Sequence, residues 1–334
     1  MSKRVLLPPP ASFLDARGFP RTGSFAGALP RANIGALSPS PLFRVAHHKR
    51  WFYMCIVSEE ILIAAAVVHL GYLSNAFVYA LHAPDRKMLF KKSMVAPSLC
   101  ARIGETADEI VLASFRMPGA SIQMERGTNK SELLMDIRWK GFELSAHALP
   151  GKAPPISAVV NLGDGLINRT EKGAPLEVSG EAMIDGTKYS MNKALAGYDH
   201  TNGLLPRHTV WKWAFALGHA KSGERVAFNV VEGFMGEAEC ALWVDDELFA
   251  LSEGRFEFDR KRPLDAWRVR TAEGELDLRF DPYAMHSDAR DLGIIASNFV
   301  QPAGSYSGRI QREGKEDLEL DSVLGVAEDQ DMKW

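Results

Sequence analysis

The segment ALAGYDHTNGLLPRHTVWKWAFALGHA, residues 194–220, holds the densest set of side chains able to do chemistry. An aspartate beside a histidine, Asp199-His200, has the makings of a general acid if the setting is partly apolar. Burial raises a carboxyl pKa and keeps its proton available near neutrality. Adjacent residues on a strand point to opposite faces, so both reach one site only where the chain bends, and Gly197 and Gly203 could supply that bend. Asp and His are also common turn formers. Downstream, period-two alternation places Arg207, Thr209, Trp211 and Trp213 on one strand face and His208, Val210 and Lys212 on the other. Two tryptophans beside an arginine fit an apolar cavity with one cationic anchor. They fit equally an aromatic core in which Arg207 snorkels or pairs with Asp199. In the first half, HHKRWFYMCIV puts Trp51, Tyr53 and Cys55 on one face of a strand.

Other chemistries find little support. The nine histidines show no ligand spacing, such as two of them four apart on a helix, so no metal site is expected. There is no G-x-S-x-G elbow, and no cysteine has a partner that sequence reveals. The glycine clusters GDG at Gly163 and GFMG at Gly233 lack the third glycine and following helix of a dinucleotide or phosphate loop. No cofactor is expected.

The chain has 334 residues, 46% hydrophobic and 24% charged, which predicts a globular protein of two domains. A net charge of −3 with dispersed Lys and Arg gives no basic field, so nucleic acid is excluded as a partner. Three widely spaced cysteines, Cys55, Cys100 and Cys240, argue against a disulfide framework and fit a reducing compartment. The start, MSKRVLLPPP, has too short an apolar run for a secretory signal, and a cytoplasmic location is the expectation.

The elements that must carry these residues read as strands. The run from Ile61 to Leu81 is long enough to span a bilayer, but it contains His69, Ser74 and Asn75, and HLGYLSN divides it. Two buried strands, Ile61–Val68 and Asn75–Leu81, joined by a turn are expected. A core helix interrupted at Gly71 is the main competitor, and a membrane span the weakest reading. ELLMDIRW and FELSAHAL alternate around Lys140-Gly141 as a hairpin does. Asp185-Gly186 has the composition of a type I′ turn. GRFEFD, DAWRVR and GELDLRFD alternate, with turn glycines about every ten residues, so an antiparallel sandwich or barrel follows. Pro- and Gly-rich residues 1–42 read as an extended arm. The breaks around Gly165 to Pro175 divide the remainder into domains at 43–168 and 169–334.

The ordered set KRWFYMCIV, DGTKYSM, GYDHTNGLLPRHTVWKWAFALG, RVAFNVVEG, ECALWVDDEL, LGIIASNFVQPAGSYSG and GVAEDQDMKW resembles the bacterial family catalogued as domain of unknown function 2804, from about Leu7 to Trp334. More distantly it is similar to the superfamily of carotenoid 1,2-hydratase, tocopherol cyclase and AttH-like proteins. That resemblance implies an all-β fold of two lipocalin-like antiparallel β-barrel domains packed together. The superfamily's acidic-Trp-Trp-Tyr motif stands here as Arg50-Trp51-Phe52-Tyr53, matching at Trp51 and Tyr53, and its Asp-His pair as Asp199-His200. It further implies protonation of isoprenoid alkenes without a cofactor, with Asp199 as donor. The expected partner is a small hydrophobic molecule, with no transmembrane segment and room for peripheral membrane contact. A hydratase, cyclase or isomerase and a non-catalytic lipid carrier both fit; the expected site is Asp199 and His200 with Trp51, Tyr53, Arg207, Trp211 and Trp213.

Overall fold

The computed structural model describes residues 4–106, 109–127, 132–291 and 296–334. Its regular structure is almost all antiparallel strand, arranged as two large sheets, one a nearly closed barrel and one a half-barrel. Among the described residues helix is confined to Pro41–His47 and three short 3-10 turns. No helix among the described residues is long and apolar enough to cross a membrane.

The first sheet has four consecutive strands at its centre and one side: His48–Val57, Ile61–His69, Leu73–His82 and Lys87–Pro97. On the other side of His48–Val57 it continues through Ala194–Leu204, Leu166–Ile184 and Phe142–Pro150 to the hairpins that end at Ala101–Ile103. The second sheet runs from His208 to Lys333, with His208–His219 beside Leu318–Lys333 at its centre. The strands at the two ends of each sheet's main order are neighbours in the chain, linked through Ser98–Cys100 in the first and through residues 251–253 in the second. Such links bring the edges toward each other and shorten the exposed rows of unpaired peptide groups.

The apolar run that drew attention in the sequence forms Ile61–His69 and Leu73–His82, paired directly as Ala65 opposite Val78. Alternation sends its residues into two different cores. Ile61, Ile63, Ala65 and Val67 pack inside the first sheet. Leu62, Ala64 and Ala66 face the core shared with the second sheet. His48–Val57 divides in the same way, with Phe52, Met54 and Ile56 inward and Tyr53, Cys55 and Val57 toward the second sheet. Strands buried on both faces need apolar residues at every position, and the sequence supplies them.

The expected hairpin at Lys140-Gly141 pairs Leu133–Trp139 with Phe142–Pro150. Asp185 and Gly186 have φ of 46° and 84°, both left-handed, as a type I′ turn requires. The expected domain division at 168/169 falls inside Leu166–Ile184, a first-sheet strand, and the chain leaves that sheet only after Leu204. The N-terminal arm packs against the first sheet. Its Gly23–Ala26 pairs with the strand Ile156–Gly163, and Phe13, Phe25, Leu29 and Ile34 bury against Val159, Ile167 and Leu204.

The sheets meet closely at Gly197, where a Cβ would lie 2.3 Å from Phe215 of the second sheet and 3.0 Å from Ala174. Gly197→Ala should therefore lower stability by about 1–3 kcal/mol through overpacking. Urea unfolding monitored by tryptophan fluorescence measures this, and an unchanged midpoint would contradict the close approach.

Candidate functional site

A cavity opens between the sheets, about 1010 Å³ counted out to the solvent at its mouth. Strand register assembles its walls. On the first sheet, Asp199 stands opposite Tyr53 on one neighbouring strand and Lys172 on the other, while Thr201 stands opposite Trp51 and Thr170. On the second sheet, Trp213 is opposite Glu328 and Trp211 opposite Gln330. Alternation then aims Trp51, Tyr53, Lys172, Asp199, Trp211, Trp213 and Glu328 into the same space.

Aromatic rings form much of the lining. The Trp51 and Trp211 rings lie nearly parallel across the seam, with centroids 6.0 Å apart, and Phe234 packs on Trp211 at 5.4 Å. Tyr53 meets Trp213 edge to face at 5.2 Å. His286 sits among Phe77, Tyr79 and Phe299. Burial lowers its pKa to about 4, so it stands there as neutral imidazole.

Two polar clusters interrupt this surface. In the first, the buried Lys172 ammonium lies 2.6 Å from Asp199 Oδ2 and 3.1 Å from Glu239 Oε2. The Trp51 indole donates to Asp199 Oδ2 at 3.1 Å, and the Thr170 and Thr201 hydroxyls lie 3.3 and 3.2 Å from Oδ1. Burial works against the Lys172 charge, but the two carboxylates outweigh it and raise its pKa. Burial also pushes Glu239 up, against the pull of Lys172. In the second cluster, Glu328 accepts from the Trp211 indole at 2.8 Å and from Gln301 Nε2 at 2.7 Å, and Tyr79 donates to Gln301 at 2.7 Å. Burial raises Glu328 to about 7, and the hydrogen bonds from Trp211 and Gln301 only partly oppose it. No group of three or more metal-ligating side chains occurs among the described residues.

Of the residues singled out from the sequence, Trp51, Tyr53, Asp199, Trp211 and Trp213 line this cavity. His200 does not. The chain shows no bend at Gly197 or Gly203, and pairing stays regular through Asp199 and His200. The imidazole therefore points away from its neighbour's side, beside Phe52, where Nε2 donates to the Gly104 carbonyl at 2.9 Å. Burial lowers its pKa to about 4. Arg207 is exposed, precedes the strand His208–His219 rather than lying on it, and is not part of the lining. Its carbonyl accepts from the Trp334 amide at 2.8 Å. The cation in the cavity is Lys172 instead.

Lys172, Glu239 and Glu328 were missed. Lys172 lies in EKGAP, read as part of a linker because of its Gly and Pro. Glu328 lies in VAEDQDM, where alternation puts Val326, Glu328, Gln330 and Met332 on one face. An acidic residue continuing an apolar face was the available signal.

The family model described as "Domain of unknown function (DUF2804)" matches residues 7–334. No curated protein matches. Among solved structures, kievitone hydratase from Nectria haematococca superposes with a TM-score of 0.54 at 14% identity, over 96% of this chain and 97% of that one. CghA with Sch210972 gives 0.52 at 13% identity, over 98% and 97%. A protein described as AttH from Nitrosomonas europaea gives 0.51 at 15%, over 85% and 92%. At these identities the likeness establishes a shared fold.

The setting of Glu328 has a consequence for stability. Its folded pKa, about 7, lies above the ordinary 4.5, so the folded chain holds an extra proton between those values. The stabilisation linked to that proton is complete below about pH 4.5 and is lost as pH rises through about 7. The unfolding free energy of wild type minus that of Glu328→Gln should fall across this window by on the order of 3 kcal/mol and then level off. Urea titrations at a series of pH values test it, and a difference independent of pH would refute the assignment.

Proposed function

The chain belongs to the family described as Domain of unknown function (DUF2804), and we propose that it catalyses cofactor-independent acid–base chemistry on an apolar, unsaturated small molecule of lipid or isoprenoid type. Hydration, cyclisation and isomerisation are the reactions in view. The observation that carries this reading is Glu328, a carboxyl in an aromatic cavity, bonded by two neutral donors and raised to about 7. A group poised there gives a proton readily and, once ionised, takes one back. The fold shared with a hydratase agrees with this class of chemistry, although function resides in the site.

Glu328 gives its proton to one carbon of a C=C bond, whose π pair forms the new C–H bond and leaves a cation on the other carbon. The faces of Trp51, Trp211 and Phe234 stabilise that cation, an interaction worth about 2 kcal/mol or more when desolvated. In hydration, a water oxygen donates a lone pair to the cation and its surplus proton returns to the Glu328 carboxylate. In cyclisation a second C=C of the same molecule is the nucleophile, and a proton leaves to the carboxylate afterwards. In isomerisation the neighbouring C–H proton does so directly. Asp199, with Lys172 and the two threonines as partners, supplies a fixed negative group facing the cation and a seat for the water. The proton donor favoured by this geometry is Glu328 rather than Asp199.

Solvent extraction of the purified protein and mass spectrometry identify a retained apolar molecule, which is then incubated with protein in D₂O. Wild type should place deuterium on carbon. Glu328→Gln should retain the molecule but turn it over about 10²- to 10⁴-fold more slowly. The wild-type rate should fall as pH rises past about 7, where Glu328 loses its proton. A deeper loss in Asp199→Asn than in Glu328→Gln would transfer the donor role to Asp199. Retention without deuterium in either protein would leave a carrier, which needs the cavity but not the proton.

A further inference from the structure

Glu239 reaches Lys172 from a single 3-10 turn, Gly236–Glu239, between two strands of the second sheet. A turn of four residues holds its geometry poorly by itself. Three consecutive carbonyls around this carboxylate are nevertheless all bound by side chains. The Glu239 carbonyl accepts from Asn229 Nδ2 at 2.8 Å, and Asn229 Oδ1 in turn accepts from the Trp213 indole at 2.7 Å. The carbonyls on either side are taken by the N-terminal arm. Arg4 donates from Nη1 to Ala238 O at 2.7 Å and from Nη2 to Cys240 O at 2.6 Å. Nη2 also reaches Leu251 O at 3.3 Å. Ser24 donates to Ala238 O at 2.6 Å and lies 2.5 Å from Arg4 Nη1. The arm is itself anchored to the first sheet through Gly23–Ala26, and Leu7 exchanges backbone hydrogen bonds with Ser24 and Ala26.

We propose that Arg4 and Ser24 are positioning residues of the cavity: by clamping the peptide carbonyls on both sides of Glu239, they hold its carboxylate on Lys172. The forked guanidinium matters, because it reaches carbonyls in separate segments at once, which a single ammonium does less well. Without the clamp the turn relaxes, Glu239 withdraws and Lys172 is left with Asp199 alone. The role in catalysis rests on the reading given under Proposed function, whereas the test below does not use turnover.

In full-length protein labelled with ¹⁵N-lysine, the Lys172 ammonium is identified by the signal lost in Lys172→Arg. Its proton exchange with water is then compared in wild type, Arg4→Met, Ser24→Ala and Arg4→Lys. Exchange should accelerate about tenfold in Arg4→Met, the effect of making local opening easier by roughly one hydrogen bond, and less in Ser24→Ala. Arg4→Lys should fall between wild type and Arg4→Met. An arm that only adds general stability would lower the melting temperature and leave this exchange within about twofold of wild type, which would overturn the proposal. Should Arg4→Met fail to fold, Ser24→Ala and Arg4→Lys decide: faster exchange in either supports the clamp, and wild-type exchange in both removes it.

Discussion

A buried ammonium between two carboxylates is the interaction on which the rest of this structure depends. Lys172 and Asp199 come from adjacent strands of the first sheet, and Glu239 comes from a turn of the second. Removing such charges from water costs several kcal/mol per ion, and only close partners offset it. Those partners are complete only when the two sheets are docked. The cluster therefore adds little as an anchor and much as a specification, since sliding one sheet over the other would strand a charge in an apolar seam. The nearby packing imposes the same arrangement sterically, with Phe215 filling the space that Gly197 leaves open.

Two of the acidic side chains lining the cavity, Asp199 and Glu328, have contrasting surroundings. Asp199 has a cation and two hydroxyls within reach, whereas Glu328 has an indole and an amide. Each carboxyl takes one tryptophan N–H, Trp51 for Asp199 and Trp211 for Glu328, so the aromatic walls and the acid groups are oriented by the same bonds. Placing acids in unlike settings is how one site obtains two roles from one type of group. The apolar wall facing Glu328 is then a requirement of its chemistry as much as a surface for a ligand.

What could be read from the sequence was whatever depends on local period. Alternation alone put Trp51 with Tyr53 and Trp211 with Trp213, and continuous apolar runs marked the doubly buried strands. The same rule separates Asp199 from His200, and the regular pairing at that point keeps them apart. Arg207 was assigned to a strand that begins one residue later, at His208, and side-chain direction does not survive such a boundary shift. Lys172 and Glu328 were out of reach because cross-strand register is non-local. Nothing in EKGAP announces that Lys172 will face Asp199. The residues after 168 looked like a new unit because Gly and Pro cluster there, yet in this strand they mark a register shift between Gly173 and Leu176 rather than a linker.

Strands with two apolar faces also limit how this gene can be divided. Cut after Leu204, the first half would carry Tyr53, Ala64, Phe77 and Tyr79 on an open face, enough greasy surface to drive aggregation. The second half would lose the wall against which Trp213 and Phe215 rest. Neither piece is a ready module for fusion or shuffling. A substitution on one side of the seam therefore acts on neighbours that belong to the other half of the chain.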